Sequence, residues 1–179
     1  TAEEGKRFFE VAYGQDSLKK HEQIGLIYSR INNPNMQILE ERLAILENSQ
    51  EAAAFESGMS AISTTMLAYL KPGDIILYSK PTYGGTHHFI NNFLADIGVE
   101  SKGFNHDTNI EELWNELESQ NLTSKLKMIY IETPANPTNA LFDLNIIKLF
   151  KERIKKKYNH NIIAVVDNTY LGPIWQKPL

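Results

Sequence analysis

Cysteine is absent from this sequence, which excludes a disulfide framework and thiolate chemistry. Long apolar runs are missing too: no stretch approaches the roughly 20 residues that a membrane-spanning helix requires. Basic charge is not in excess. Lys and Arg number 18 against 22 Asp and Glu, a net charge of −4, which argues against a dedicated nucleic-acid binder, because such proteins carry a basic face. Neither a GxGxxG stretch nor a Walker loop occurs, so a nucleotide-binding α/β domain is a weak reading. The opening residues, Thr1 to Glu10, have neither the basic start nor the apolar stretch of a signal peptide, and a chain beginning at Thr1 is expected to lack its true N-terminus. Internal repeats and low-complexity linkers are also absent.

What remains is ordinary for a soluble domain. Of 179 residues, 42% are apolar and 22% charged, enough for one hydrophobic core and too few for two typical domains. The expectation is a soluble, cytoplasmic α/β domain without a membrane or nucleic-acid partner.

The first thirty residues show no sustained period, and 1–34 is expected to form an extended arm ahead of a domain at 35–179. After the break at Asn33-Pro34, apolar residues at Met36, Leu39, Leu43 and Leu46 predict a helix with one buried face. Ser57-Gly58 precedes a second helical run, which Lys71-Pro72-Gly73 stops. Strands and helices then alternate. Strands are predicted at 74–78, 99–104, 127–131 and 162–166, and helices at 86–97, 110–118 and 143–156. The β-branched run from Ile162 to Val166 has the character of a parallel strand buried on both faces. This alternation implies right-handed βαβ units and a doubly wound, mostly parallel sheet. Ile174 and Trp175 fall in a proline-bracketed loop with no following element to cover them, so further sequence is expected beyond Leu179.

In open α/β sheets, ligands sit outside the carboxyl ends of the strands. Three polar clusters fall there: Asp167-Asn168-Thr169, Glu132 with Thr133 to Pro137, and Ser79 to Gly85. A single acid behind a strand is ordinarily a turn or cap residue, but three clusters on one parallel edge converge in space. Ser57-Gly58-Met59 adds a helix start at which backbone N–H groups can meet an anion, although Ser57 also reads as a plain N-cap. Together these parts describe a ligand with a phosphate (at Gly58-Met59), a flat ring (against Tyr83) and a basic ring nitrogen (beside Asp167). A carboxylate next to a pyridine nitrogen keeps it protonated, and a protonated pyridine ring is the electron sink of pyridoxal phosphate.

Five stretches carry a more specific likeness: Tyr28 to Pro34, Ser57 to Ile62, Tyr83 to Thr86, Glu132 to Thr138, and Val166 to Thr169. In order and spacing they resemble the Cys/Met-metabolism family of pyridoxal-phosphate enzymes, which contains cystathionine γ-synthases, cystathionine γ- and β-lyases, methionine γ-lyases and O-acetylhomoserine sulfhydrylases. The likeness runs from Gly25 onward. It implies a truncated large domain of the fold-type-I, aspartate-aminotransferase-like kind. It also implies pyridoxal 5′-phosphate as cofactor and elimination or replacement at the γ (or β) carbon of sulfur amino acids. By the same resemblance, Gly58 and Met59, next to Ser57, donate backbone N–H groups to the phosphate. Tyr83 stacks on the ring and assists proton transfer or leaving-group departure. Asp167, with Thr169 beside it, partners the ring nitrogen, and Glu132 and Asn136 orient the cofactor. Tyr28 and Arg30 reach the phosphate of a neighbouring subunit across the interface of a homodimer or homotetramer, a task that suits the planar fork of arginine.

The sequence departs from the family pattern in two places. Asn35 stands where the family commonly has threonine. In the family, a serine–x–threonine–lysine segment lies further beyond the Asp-Asn-Thr motif than this chain extends, and its lysine holds the cofactor as a Schiff base. Ten residues follow Thr169 here, and Lys80 and Lys177 read as surface lysines. The 179 residues alone are therefore expected to be inactive and poorly soluble. A non-catalytic subunit binding a phosphate ligand or a partner is the alternative. His87 and His88 lack metal-ligand spacing to a third ligand and read as surface residues, and Lys155 to Lys157 read as a solvated helix end.

Overall fold

The computed structural model describes residues 1–22 and 25–179 and divides into two compact units, Thr1–Ala54 and Phe55–Leu179. The portion of the expected arm at 23–24 lies outside the described residues.

In the first unit, helix α1 (Ala2–Ala12) forms where an extended arm was expected. A capping box drives it: Thr1 Oγ1 accepts from the Glu4 N–H at 3.3 Å, while Glu4 Oε2 accepts from the Thr1 amino group at 2.6 Å, satisfying donors that a helix start leaves open. The described residues from 13 to 33 carry turns and no helix or strand. Arg7 ties that segment to α1, with Nε and Nη2 on the Glu22 carboxylate at 2.9 and 2.7 Å and Nη1 on Asp16. Helix α2 (Pro34–Glu47) starts at the Asn33 cap with Pro34 in its first turn, as Asn-Pro predicts. Its expected buried face does not materialise. Met36, Leu39 and Leu46 are 40–50% exposed, and no strand occurs among the described residues of this unit.

The second unit is the α/β layer structure. Four parallel strands, β1 (Ile75–Lys80), β2 (Glu100–Asn105), β3 (Leu126–Glu132) and β4 (Ile163–Asp167), lie in the order β2-β1-β3-β4. Helix α3 (Gly58–Tyr69) precedes the sheet. A short helix α4 (Gly84–His88) continues as a π-helical segment (Phe89–Leu94) between β1 and β2. The sequence reading expected an unbroken α-helix there. Instead, the Asn91 and Asn92 side-chain amides donate to the His87 and His88 carbonyls at 2.8 and 3.1 Å, competing for acceptors that regular helical bonding uses. Helix α5 (Ile110–Ser119) joins β2 to β3, and α6 (Asn145–Tyr158) joins β3 to β4. A single turn, α7 (Gly172–Trp175), replaces the expected loop, and Ile174 and Trp175 are about 80% exposed.

Alternation along the strands builds two cores. Ile75 and Leu77 of β1, with Ile129 and Ile131 of β3, pack against Leu113 and Leu117 of α5 and Phe150 and Ile154 of α6. On the opposite face, Ile76, Tyr78, Met128 and Tyr130 pack against Met66 of α3 and Ile90 and Leu94 of the π segment. Leu126 shares the first face with Ile129 although the two are an odd three positions apart. A bulge explains it: Ile75 pairs with Leu126, but Ile76 pairs with Met128, so Lys127 is the extra residue. Helices thus cover both faces, and the sheet is doubly wound. The connection from β1 to β2 runs one way across the sheet on the α3 face. The connections to β3 and β4 run the other way on the opposite face, which keeps every crossover of one hand. The direction reverses between β1 and β3, and that reversal opens the crevice in which such sheets bind ligands.

Candidate functional site

Strand parity and register assemble the site. Glu132 and Asp167 are the last residues of β3 and β4 and are paired across the ladder. Both share the face of Met128, Tyr130, Ile163 and Val165, the face covered by α3. Helix α3 begins there, with Ser57 Oγ accepting from the Ser60 N–H at 3.1 Å. The amides of Gly58 and Met59, in the first turn, have no intrahelical partner by the geometry of a helix start. The loop after β1 brings Tyr83. Residues from these four places line one cavity of about 360 Å³, within the range of about 300–1,000 Å³ usual for small-molecule sites.

Of the sequence-predicted site residues, Ser57, Gly58, Met59, Tyr83, Glu132, Asn136, Asp167 and Thr169 all line this cavity. Tyr28 and Arg30 belong to the first unit, where both are exposed and the Arg30 guanidinium lies 5.2 Å from the Tyr28 ring centroid. Lys80, Lys177, His87 and His88 are exposed. Among the described residues, no group of three or more His, Cys, Asp or Glu could hold a metal ion, and no helix is long and apolar enough to cross a membrane.

The two carboxylates are held differently. Glu132 is buried at 5% exposure. Its Oε2 accepts from Thr82 Oγ1 at 2.5 Å and from the Tyr83 N–H at 2.6 Å, and its Oε1 accepts from the Asn136 N–H at 2.7 Å. Asp167 is half-buried. Its Oδ1 accepts from the Thr169 N–H and Oγ1 at 3.0 and 2.5 Å, and its Oδ2 from the Tyr130 hydroxyl at 2.9 Å. Burial first, and then the adjacent Asp167 charge, pushes the Tyr130 phenol above its ordinary range, so Tyr130 is a neutral donor at physiological pH.

Several lining or supporting residues had no individual role assigned from the sequence, although Ser79, Pro134 and Ile62 fall inside the stretches singled out there. Tyr130 lies two residues before Glu132, and strand alternation alone puts it on the same face. Tyr170 follows Thr169 directly and lines the cavity, as do Ile62, one turn along α3, and Pro134. Ser79, fully buried at the end of β1, accepts from the Glu132 N–H at 2.9 Å and fixes the strand end.

The arrangement fits pyridoxal 5′-phosphate. Asp167 offers a charged acceptor for a ring nitrogen, and its orientation is already set by Thr169 and Tyr130. A β-carbon built at Gly58 would meet nothing within 4 Å, so the first turn of α3 opens on free space that a phosphate can use. Tyr83, 45% exposed, presents an aromatic face on the cavity wall.

Comparison with known proteins agrees with this chemistry. The family model described as "Cys/Met metabolism PLP-dependent enzyme" matches residues 8–179. An L-methionine gamma-lyase of Fusobacterium nucleatum is 37% identical over 158 residues, which is 88% of this chain and 37% of the relative. A cystathionine gamma-synthase/O-acetylhomoserine (thiol)-lyase of Bacillus subtilis is 35% identical over 88% of this chain and 39% of its own length. Among solved structures, a protein of Campylobacter jejuni assigned as an O-acetylhomoserine (thiol)-lyase, which contains N′-pyridoxyl-lysine-5′-monophosphate, superposes with a TM-score of 0.74 at 29% identity. That match covers 87% of this chain and 36% of the other. The chain thus spans well under half the length of the relatives it matches. With the family matched over nearly every residue and a fold-type-I sheet carrying the matching motifs, the chain belongs to the Cys/Met-metabolism family of pyridoxal-phosphate-dependent enzymes.

Proposed function

We propose that this chain forms the cofactor-holding part of an enzyme that eliminates or replaces the γ (or β) substituent of a sulfur amino acid, such as cystathionine, methionine or an O-acylhomoserine. The observation that carries the reading is Asp167. It is a strand-end carboxylate fixed by Thr169 and Tyr130, in a cavity that also holds the start of α3 and the Tyr83 ring. The family names of the relatives support the reaction class.

Pyridoxal phosphate, when bound, supplies the electron sink for carbanion chemistry. The residues of this chain do the holding. Asp167 would stand beside the ring nitrogen as its acidic partner and so favour its protonated form. The Gly58 and Met59 amides, at the helix start where Ser57 caps the Ser60 N–H, would donate to the phosphate, and the helix dipole would add to that attraction. Tyr83, on the cavity wall, would cover one ring face, and its hydroxyl would be placed to hold or hand on a proton. Asn136 and Glu132 keep the wall of the site in place, and Thr169 keeps Asp167 in its orientation. Tyr28 and Arg30 reach the phosphate of a neighbouring copy in a homodimer or homotetramer, and the enzyme works in the cytoplasm in transsulfuration or methionine metabolism. The exposure of Tyr28 and Arg30 and the fork geometry of arginine support that assignment.

Asp167→Asn in the full gene product tests the proposal. The expected result is pyridoxal-phosphate affinity weakened at least about tenfold, as loss of a charge-assisted partner implies, with turnover of cystathionine, methionine and O-acetylhomoserine lost. Unchanged affinity and turnover would overturn it.

A further inference from the structure

We propose that Glu132 is a latch between the two loops that flank the crevice, a positioning residue that acts through Tyr83 and Asn136 and makes no contact of its own with the cofactor. This inference rests on reading the cavity as a pyridoxal-phosphate site.

The two carboxylates at the strand ends are register partners and each accepts three hydrogen bonds from the chain, but they differ in burial and in where their donors lie. Asp167 is bonded by Thr169, two residues on, and by Tyr130 on the adjacent strand, whereas the donors to Glu132 come from two separate loops. A carboxylate offers about four lone-pair sites. Glu132 gives three of them to donors of its own chain, all within 2.7 Å: the Thr82 hydroxyl, the Tyr83 amide and the Asn136 amide. Asp167 also accepts three bonds, so burial is what separates the two: Glu132 is buried, and Asp167 is half-buried on the cavity wall. Three donors also satisfy most of the acceptor capacity of a side chain at 5% exposure, as a buried polar group requires.

The donors lie on two separate segments. Thr82 and Tyr83 belong to the loop after β1, and Asn136 to the loop after β3. These are the neighbouring strands between which the direction of chain progression reverses. Glu132 itself cannot drift, because its N–H is held by Ser79 Oγ at 2.9 Å on β1. Tyr83 needs such an anchor. It precedes α4 as an N-cap whose side chain makes no capping bond, and its ring is 45% exposed, so tertiary packing alone does not fix it. Its amide on Glu132 Oε2 sets where the ring stands. On this view the acid is a spacer of fixed length between ring face and strand end.

The test uses Glu132→Gln in the full gene product, with Thr82→Val as a milder second variant. A carboxamide has one accepting atom, so it cannot serve both the Thr82–Tyr83 side and the Asn136 side. Hydrogen exchange of the cofactor-free protein should show the Tyr83 or Asn136 amide exchanging about ten- to a hundredfold faster in Glu132→Gln, the loss expected for one bond to a charged acceptor. Thr82→Val should change the Tyr83 amide in the same direction by less, and it carries this arm if Glu132→Gln does not fold. Unchanged exchange at both amides would overturn the latch. In the second arm, pyridoxal-phosphate dissociation constants are compared for the parent, Glu132→Gln, Tyr83→Ala and the double variant. A double variant weakened clearly less than the product of the two single effects, beyond the about twofold scatter of independent sites, supports action through Tyr83. Fully multiplicative effects would show direct contact and overturn it. Should the parent bind no pyridoxal phosphate, the function proposed above falls, and the exchange comparison, made without cofactor, still decides the latch.

Discussion

The Tyr130 hydroxyl donates to Asp167 Oδ2 over 2.9 Å, from the adjacent strand and from a fully buried ring. With Thr169 occupying Oδ1, the carboxylate has both oxygens steered before any ligand arrives. Such preorganisation is what a binding site requires of its supporting residues.

Tyr130→Phe keeps the ring and removes only the donor. At neutral pH it should destabilise the fold by about 1.5–3 kcal/mol, the net worth of a hydrogen bond to a charged group, and weaken pyridoxal-phosphate binding. The pH dependence has a definite sign. Burial and the Asp167 charge raise the phenol above its ordinary value of 10.0, so folding favours the neutral form. That stabilisation is fully present below about pH 10 and is lost as pH climbs from there towards the folded value. Urea unfolding at pH 8 and pH 11 should show the parent losing stability that Tyr130→Phe does not lose. Equal slopes in the two proteins would show that this phenol is not the group responsible.

Two neighbouring glycines should behave differently. A β-carbon at Gly85 would stand 2.7 Å from the Tyr83 ring and 3.0 Å from Met59 Sδ, whereas one at Gly84 would meet nothing within 4 Å. Gly85→Ala should therefore push the half-exposed Tyr83 ring aside. A stability cost near the low end of the about 1–3 kcal/mol usual for overpacking is expected, with clearly weaker cofactor binding. Gly84→Ala, in the same helical turn, should leave binding alone and stabilise slightly through helix propensity. Thermal melts and cofactor titrations on the pair would separate displacement of Tyr83 from a general effect on α4.

Strands β1, β3 and β4 were legible because their apolar runs are short and continuous, whereas β2, ESKGFN, carries no β-branched residue and was marked mainly by its place between two helices. The site was legible because each cluster sits immediately behind a strand. Glu132 and Asp167 could be placed at strand ends from their positions alone, but that they are register partners required the sheet order, which no local pattern encodes. Tyr130 was readable as a core residue, and period-two alternation would have put it beneath Asp167 once β3 and β4 were known to be adjacent. The bulge at Lys127 reverses the parity of Leu126 in a way that alternation from the sequence misassigns. The capping box that winds α1 is a local signal in Thr1 and Glu4, obscured by a polar segment without a long apolar period. The stripe on α2 was a true helix signal, but spacing specifies a face and not what covers it.

Ser57 carries two roles that substitution can separate. Its hydroxyl caps α3 by accepting from the Ser60 N–H, and it also lines the cavity beside the Gly58 and Met59 amides. Ser57→Ala removes the cap, so a loss of about 0.5–2 kcal/mol is expected, together with weaker phosphate binding. Ser57→Asp keeps a capping oxygen and adds a charge that suits a helix start, so stability should be close to that of the parent. The added carboxylate would stand where a phosphate must approach, and like charges there repel. Binding of pyridoxal phosphate should consequently fall further in Ser57→Asp than in Ser57→Ala, in the opposite order to the two melting temperatures. A phosphate-free analogue, pyridoxal, should show much less discrimination between the two variants. If both ligands responded alike, the start of α3 would not be the phosphate-binding end of the cavity.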